Sequence, residues 1–181
     1  MSNSDLISPL AARQSPRERA PRLTEISGTI VLSDSMLNVN AGWGDLILDT
    51  VTETLTQSSS TSTVEIQRIS RPQIGDHRPH EWITQLLQQK ITAVVVTAGD
   101  CATCTSRALR ECIMAEEAGI PATAGVPEGL REIIEATLHT WGRPDLDVAT
   151  FPTPLFALKR TDFPEVMQPT AARVVEILTE N

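Results

Sequence analysis

The 181-residue sequence has no tyrosine and only three tryptophans and three phenylalanines, too few aromatics for the platforms on which proteins stack nucleic-acid bases. Basic residues are also scarce: 15 Lys and Arg stand against 23 Asp and Glu, a formal net charge of -8. Without a basic footprint to neutralise phosphates, the chain reads as a partner of neither nucleic acid nor anionic membrane. No apolar stretch reaches the roughly 18 to 20 residues that cross a bilayer, and the longest, near Ile91–Ala98, is strand-sized. The N-terminus lacks a cationic start followed by an apolar core, so it does not read as a secretion signal, and the expected location is the cytoplasm. Three cysteines, an odd number, make no disulfide scaffold. In a reducing compartment a CxxC is redox, nucleophilic or metal-binding before it is structural.

What is present is ordinary globular material, 40% hydrophobic and 21% charged, long enough for one substantial core. Residues 1–24, rich in Ser, Pro, Arg and Ala, have no sustained hydrophobic period and read as a flexible N-terminal arm; residues 25–181 read as a single α/β domain. Within it, strands are predicted at Gly28–Ser33, Val64–Ile69, Ile91–Ala98, Pro121–Ala124 and Leu146–Phe151. Helices are predicted at Gly44–Thr56, His80–Lys90, Thr105–Ala118, Pro127–Trp141 and Phe163–Thr179. Ile91–Ala98 (ITAVVVTA) is β-branched and almost wholly apolar, as a central parallel strand covered on both faces should be. Alternating strands and helices imply a three-layer α/β sandwich with a mainly parallel five-stranded sheet, and the flavodoxin-like order 2-1-3-4-5 fits this size. In that order the loops after strands 1 and 3 flank the switch point where such folds bind ligands.

The loop after strand 3 carries TAGDCATCTSR, Thr97–Arg107. Cys101 precedes the expected helix start and Cys104 lies at it, where free N–H groups and the helix dipole favour a thiolate; Thr103 or Thr105 supplies an N-cap. Gly99 permits the sharp exit from the strand. Asp100 opposes thiol ionisation unless the helix or Arg107 holds it, and Arg107 is placed to face an anion at the helix start. Three uses of the pair remain open. One cysteine attacks or reduces a substrate while the other resolves the adduct as a disulfide; or both bind metal; or both are packed in a turn. A metal site wants about four ligands. Cys112 lies roughly 12 Å farther along a regular helix, on the apolar stripe Ala108, Leu109, Cys112 and Ile113, and reads as a core thiol. His77, His80 and His139 would complete a metal site only through tertiary contact. Asn38, Asn40 and Trp43, after strand 1, face the switch point as substrate-orienting groups or as an ordinary turn. Asp34 reads as a loop cap or an acid-base group, FPTPL (Phe151–Leu155) as a rigid wall or a connector. Glu111 and Glu116 read as solvated or helix-pairing residues.

The stretch GDCATCTSRALRECIMAEEAGIP, Gly99–Pro121, resembles the UGSC family of thiol and selenol proteins, named for a tetrad of selenocysteine or cysteine, Gly, Ser and Cys. The resemblance rests on Gly99, Asp100, Cys101, Cys104, Thr105, Glu116, Gly119, Ile120 and Pro121, with weaker similarity around Asn38 and at FPTPL. The tetrad's Gly and Ser are Ala102 and Thr103 here, and a Lys-Pro of the first loop is Met36-Leu37, which removes a cation from the expected ligand site. Because selenocysteine occupies the first tetrad position in such families, the resemblance implies that Cys101 is the nucleophile and Cys104 the resolving or supporting thiol. It implies a thiol-dependent oxidoreductase acting on a small electrophilic substrate, with Gly99, Asp100, Thr103, Thr105, Arg107, Asn38 and Trp43 as the substrate-binding set. No cofactor is expected; an external thiol reductant would restore the pair, and metal at Cys101 and Cys104 remains the alternative, in a metal-binding subunit of a larger complex. The expected assembly is a homo-oligomer or a partner-bound subunit.

Overall fold

The computed structural model describes residues 18–34, 43–59, 63–70 and 79–179. Five strands, β1 (Gly28–Asp34), β2 (Val64–Ser70), β3 (Ala93–Thr97), β4 (Ala122–Pro127) and β5 (Ala149–Phe151), alternate with helices α1 (Trp43–Ser58), α2 (Pro79–Gln88), α3 (Ala102–Glu117), α4 (Arg131–Thr140) and α5 (Phe163–Thr179). Every strand pairing is parallel and the order is β2-β1-β3-β4-β5. The expected sandwich and strand order are therefore present, with a sheet that is wholly parallel.

Burial follows from strand alternation. Val31, Val94, Val96, Ala122, Ala124 and Val126 face the layer of α2, α3 and α4, meeting Trp82, Leu86, Ala108, Leu109, Cys112, Ile113, Ile134 and Leu138. Ile30, Leu32, Ala93 and Val95 face α1 and α5, meeting Ile47, Val51, Leu55, Met167, Ala171 and Val174. All five residues of β3 are buried, which explains its unbroken apolar sequence. β1 and β3 are neighbours whose helices lie on opposite faces, so the C-terminal ends of these strands form the switch point.

Several boundaries differ from expectation. β5 is only Ala149–Phe151, because the residues before it are held by side chains instead of a ladder: Arg143 donates to both carboxylate oxygens of Asp145 at 3.0 Å. The helix expected from Pro127 starts later, since Pro127 pairs with Phe151 in the sheet and a 3-10 turn, Glu128–Leu130, precedes α4. Of the residues expected as an arm, 18–23 run along the domain: Arg19 bonds Asp147 at 2.7 Å, and the Leu23 N–H donates to the Leu178 carbonyl at 2.9 Å.

Gly28 at φ 74°, Gly119 at φ 81° and Gly142 at φ 69° take left-handed backbone. An added Cβ at Gly119 meets nothing within 4 Å, whereas at Gly28 it falls 2.5 Å from Thr92 Cγ2. Thr92 cannot turn away cheaply, because its hydroxyl donates to the Ser27 and Thr29 carbonyls. Gly28→Ala and Gly119→Ala both incur about 1–2 kcal/mol for the left-handed conformation, and Gly28→Ala is expected to cost about 1 kcal/mol or more beyond that from overpacking. Urea unfolding of the two variants checks this; equal losses would contradict it.

Candidate active site

The β3–α3 connection is built from four restraints at consecutive residues, two of them to distant segments. Ala98 N–H bonds the Gly125 carbonyl at 3.0 Å, which keeps the chain on β4 beyond the end of β3. Gly99 is buried, and its carbonyl accepts the Cys101 N–H at 2.6 Å, closing the turn. Asp100 Oδ2 then accepts the Leu155 N–H at 2.6 Å, so the FPTPL segment, which contains a cis Thr153–Pro154 bond, is fastened to the residue before the first cysteine. Finally Cys101 is the N-cap of α3, with extended φ −147° and ψ 114°. Its carbonyl accepts the Thr105 N–H at 2.9 Å and its Sγ accepts the Cys104 N–H at 3.2 Å.

This corrects the expected helix start. α3 begins at Ala102, not Thr105, and neither threonine is its N-cap. The N-cap position needs a side-chain acceptor for the N–H two or three residues on, and an oxygen usually provides it; here the sulfur of Cys101 does. Cys104 consequently lies inside the first turn.

The two thiols differ in environment. Cys101 is partly exposed and Cys104 buried. Burial, then a hydrogen bond to Cys101 and the charge on that sulfur, push the Cys104 thiol up to about 12, against the opposing pull of Arg107. Cys112 is fully buried among Val96, Leu109 and Ile113, and burial, followed by the charges of Glu111 and Glu116, raises it well above the ordinary thiol range. The helix position that removed it from the site in sequence removes it in space.

Arg107 does not stand open at the helix start: its Nε donates to Glu111 Oε1 at 3.2 Å. Arg110 lies 4.8 Å over the Trp141 ring. Trp43 begins α1 and stacks obliquely on Phe163, 5.2 Å between centroids, with Arg160 over it at 5.4 Å. Thr103 is exposed and Thr105 buried. Asn38 and Asn40, like Met36, Leu37 and His77, lie outside the described residues, as does the His80 side chain; His139 is exposed on α4.

Glu111 and Glu116 are not solvated. Both are buried: Glu111 pairs with Arg107 one turn back on its own helix, as the helix-pairing reading expects, whereas Glu116 has partners the sequence does not place beside it. Glu116 accepts the Ala20 N–H at 2.9 Å and the Ala122 N–H at 2.7 Å, is hydrogen-bonded by Arg22 and lies 3.8 Å from the buried Arg143 guanidinium. One carboxylate thereby ties the end of α3 to the start of β4 and to residues 20–22. Buried oxygens lie at the C-terminal edge of the sheet: Asp100 Oδ1 and Thr105 Oγ1, from residues expected in the substrate-binding set, and Ser33 Oγ and Thr97 Oγ1, which sequence reasoning missed, have no hydrogen-bond partner among the described residues.

The profile of the UGSC family matches residues 5–180, nearly the whole chain. The chain belongs to the UGSC family. No curated protein matches it. The UGSC motif positions acquire physical roles from the geometry. The Asp100 that precedes the tetrad and the late Pro-x-Pro-Leu turn are joined through Leu155 N–H. The acidic residue before Gly-Ile-Pro is the carboxylate that collects Ala20, Arg22 and Ala122. Ala102 and Thr103 are the exposed residues of the first turn, between the capping Cys101 and the buried Cys104. Among the described residues no group of three or more His, Cys, Asp or Glu could hold a metal ion, and no helix is long and apolar enough to cross a membrane.

Proposed function

We propose that the protein is a thiol-dependent enzyme in which Cys101 is the nucleophile and Cys104 the resolving thiol, acting reductively on a small electrophilic substrate. The observation that carries this reading is the asymmetry of the pair: one partly exposed sulfur caps the helix, and one buried thiol is held protonated beside it. A thiolate is the reactive form and a helix N-terminus stabilises it.

In the first step the Cys101 thiolate bonds to the electrophilic centre, whose leaving group departs with the electron pair of the broken bond. In this reading the helix N–H groups, with the exposed Thr103 hydroxyl, receive developing negative charge, and Thr105 lines the substrate site. Adduct formation removes the charge on Cys101, which is one cause of the high Cys104 pKa, so Cys104 becomes easier to ionise only after Cys101 has reacted. The Cys104 sulfur then attacks Cys101 Sγ. A disulfide forms, the substrate fragment leaves with the electron pair of its bond to sulfur and takes a proton, and the substrate is reduced by two electrons. An external thiol reductant reduces the disulfide. A cytoplasmic setting suits this cycle because thiols there are kept reduced. A homo-oligomer or partner subunit completes the reading.

Dipyridyl disulfide, a neutral electrophile, tests the order of events. The native chain is expected to release one thiopyridone as Cys101 forms a mixed disulfide and a second as Cys104 resolves it. Cys104→Ser should stop after the first release and retain the added mass on Cys101. A Cys104→Ser chain that still releases both would exclude Cys104 as resolving thiol. Stoichiometric metal that protects both thiols in the purified protein would favour a metal-binding subunit instead.

A further inference from the structure

Asp100 is a carboxylate with one oxygen satisfied and one not. Oδ2 takes the Leu155 N–H, while Oδ1 is buried without a hydrogen-bond partner among the described residues. A buried anionic oxygen is ordinarily paired, since leaving it bare costs several kcal/mol. The cations nearest in sequence or along the same helix are committed elsewhere: Arg107 to Glu111 and Arg110 to the Trp141 face.

Thr105 Oγ1 repeats the pattern. Thr105 is wholly buried and its hydroxyl has no partner among the described residues. It stands one helical turn beyond Cys101 on the same face, and helical side chains tilt toward the N-terminus, which directs it at the Cys101 turn. Ser33 Oγ is the third such oxygen. By alternation with Val31 it lies on the sheet face covered by α3, at the C-terminal end of the strand adjoining β3. Ser33 and Thr105 thus bring two buried, unsatisfied hydroxyls to the C-terminal end of the sheet on the face covered by α3, and the charged acceptor, Asp100 Oδ1, belongs to the residue directly before Cys101. The helix N-terminus is meanwhile occupied by the Cys101 sulfur itself.

We propose that the small molecule that meets Cys101 carries a protonated nitrogen, an ammonium or amidinium group, received by Asp100 Oδ1 with the Thr105 hydroxyl beside it. This deepens the reading of Cys101 as nucleophile and rests on it. Carboxylate and phosphate substrates are disfavoured at the same place by the bare carboxylate oxygen.

Methanethiosulfonates with different head groups test the inference on the intact protein. Each reacts alike: the cysteine sulfur bonds to the reagent's sulfide sulfur, and methanesulfinate leaves with the electron pair. The rates of Cys101 modification by the aminoethyl and sulfonatoethyl reagents, each divided by its rate with mercaptoethanol, give a selectivity ratio. The ratio is expected at about tenfold or more in favour of aminoethyl, because a contact pair of opposite charges in a partly buried site is worth at least that much. It should persist at about 0.5 M salt, which screens the field of the distant surface charges, and fall toward unity in Asp100→Asn, which retains an acceptor for Leu155 N–H. A ratio near or below one, a ratio abolished by salt, or one unchanged in a folded Asp100→Asn variant overturns the inference while leaving the nucleophile standing. If the neutral methyl reagent fails to modify native Cys101 at all, the nucleophile reading falls and the inference with it.

Discussion

Cys101→Ser is expected to abolish the reaction of the native chain with dipyridyl disulfide, reducing thiopyridone release by at least about 10³-fold. A serine hydroxyl is not ionised at neutral pH and is a poor nucleophile without an adjacent base. The remaining cysteines do not compensate, because Cys104 and Cys112 are both buried, and burial, the largest cause of each upward shift, persists when the Cys101 sulfur is removed. Serine oxygen can still cap α3, so the fold is expected to survive and the loss to report chemistry. The paired observation is that Cys104→Ser keeps the first release. If Cys101→Ser and wild type reacted at similar rates, the reactive sulfur would be elsewhere and the assigned roles would be wrong.

The largest effect on stability is expected at Glu116, whose carboxylate accepts N–H groups 96 positions before it, at Ala20, and 6 positions after it, at Ala122. Its side chain and that of Arg143 are fully buried, and Arg22 nearly so. Glu116→Ala removes the carboxylate that pairs the buried Arg22 guanidinium, leaves Arg143 with Asp145 alone, and leaves the Ala20 and Ala122 N–H groups without their acceptor. Removing one partner of a buried ion pair typically costs about 3–5 kcal/mol, a large part of the roughly 5–15 kcal/mol that holds a domain together. At about 2–4 °C per kcal/mol for a domain of this size, Tm should fall by roughly 6–20 °C. Arg173→Ala removes an exposed pair with Glu176 and should change stability by less than about 1 kcal/mol. Calorimetry on the two variants separates them; comparable melting would mean that Glu116 does not organise the α3–β4 junction.

The architecture was legible because the signals that set it are local. AVVV, Ala93–Val96, has no polar residue to turn toward water, and the stripe Ala108, Leu109, Cys112, Ile113 fixes the buried face of α3. The switch point followed from strand order, and the CxxC falls beside it. What was not legible depends on contacts between distant segments. The charge on Glu116 argued for solvent until Ala20, Arg22 and Arg143 were brought to it. Asp100 looked like a neighbour of Cys101 alone, and its bond to Leu155 spans 55 positions. The start of α3 was misplaced for a chemical reason: threonine oxygens are the familiar caps, while Cys101 Sγ takes the N–H here. Glu116, four residues after Cys112, and Asp100, directly before Cys101, were the signals in the sequence, since both lie in the stretch that carries the family resemblance.

The central claim is that Cys101 alone among the three cysteines is reactive in the folded protein, and pH-resolved alkylation with iodoacetamide, read by mass spectrometry at each cysteine, tests it most directly. With its thiol near 12, Cys104 at about pH 7.5 has a thiolate fraction some 10³-fold below that of free cysteine, partly offset by greater intrinsic nucleophilicity, for a net rate roughly 10²-fold slower. Its labelling should rise about tenfold per pH unit. Cys112 should label only on unfolding, and Cys101 should label first at every pH. A native Cys101 that labels no faster than Cys112 would contradict the account.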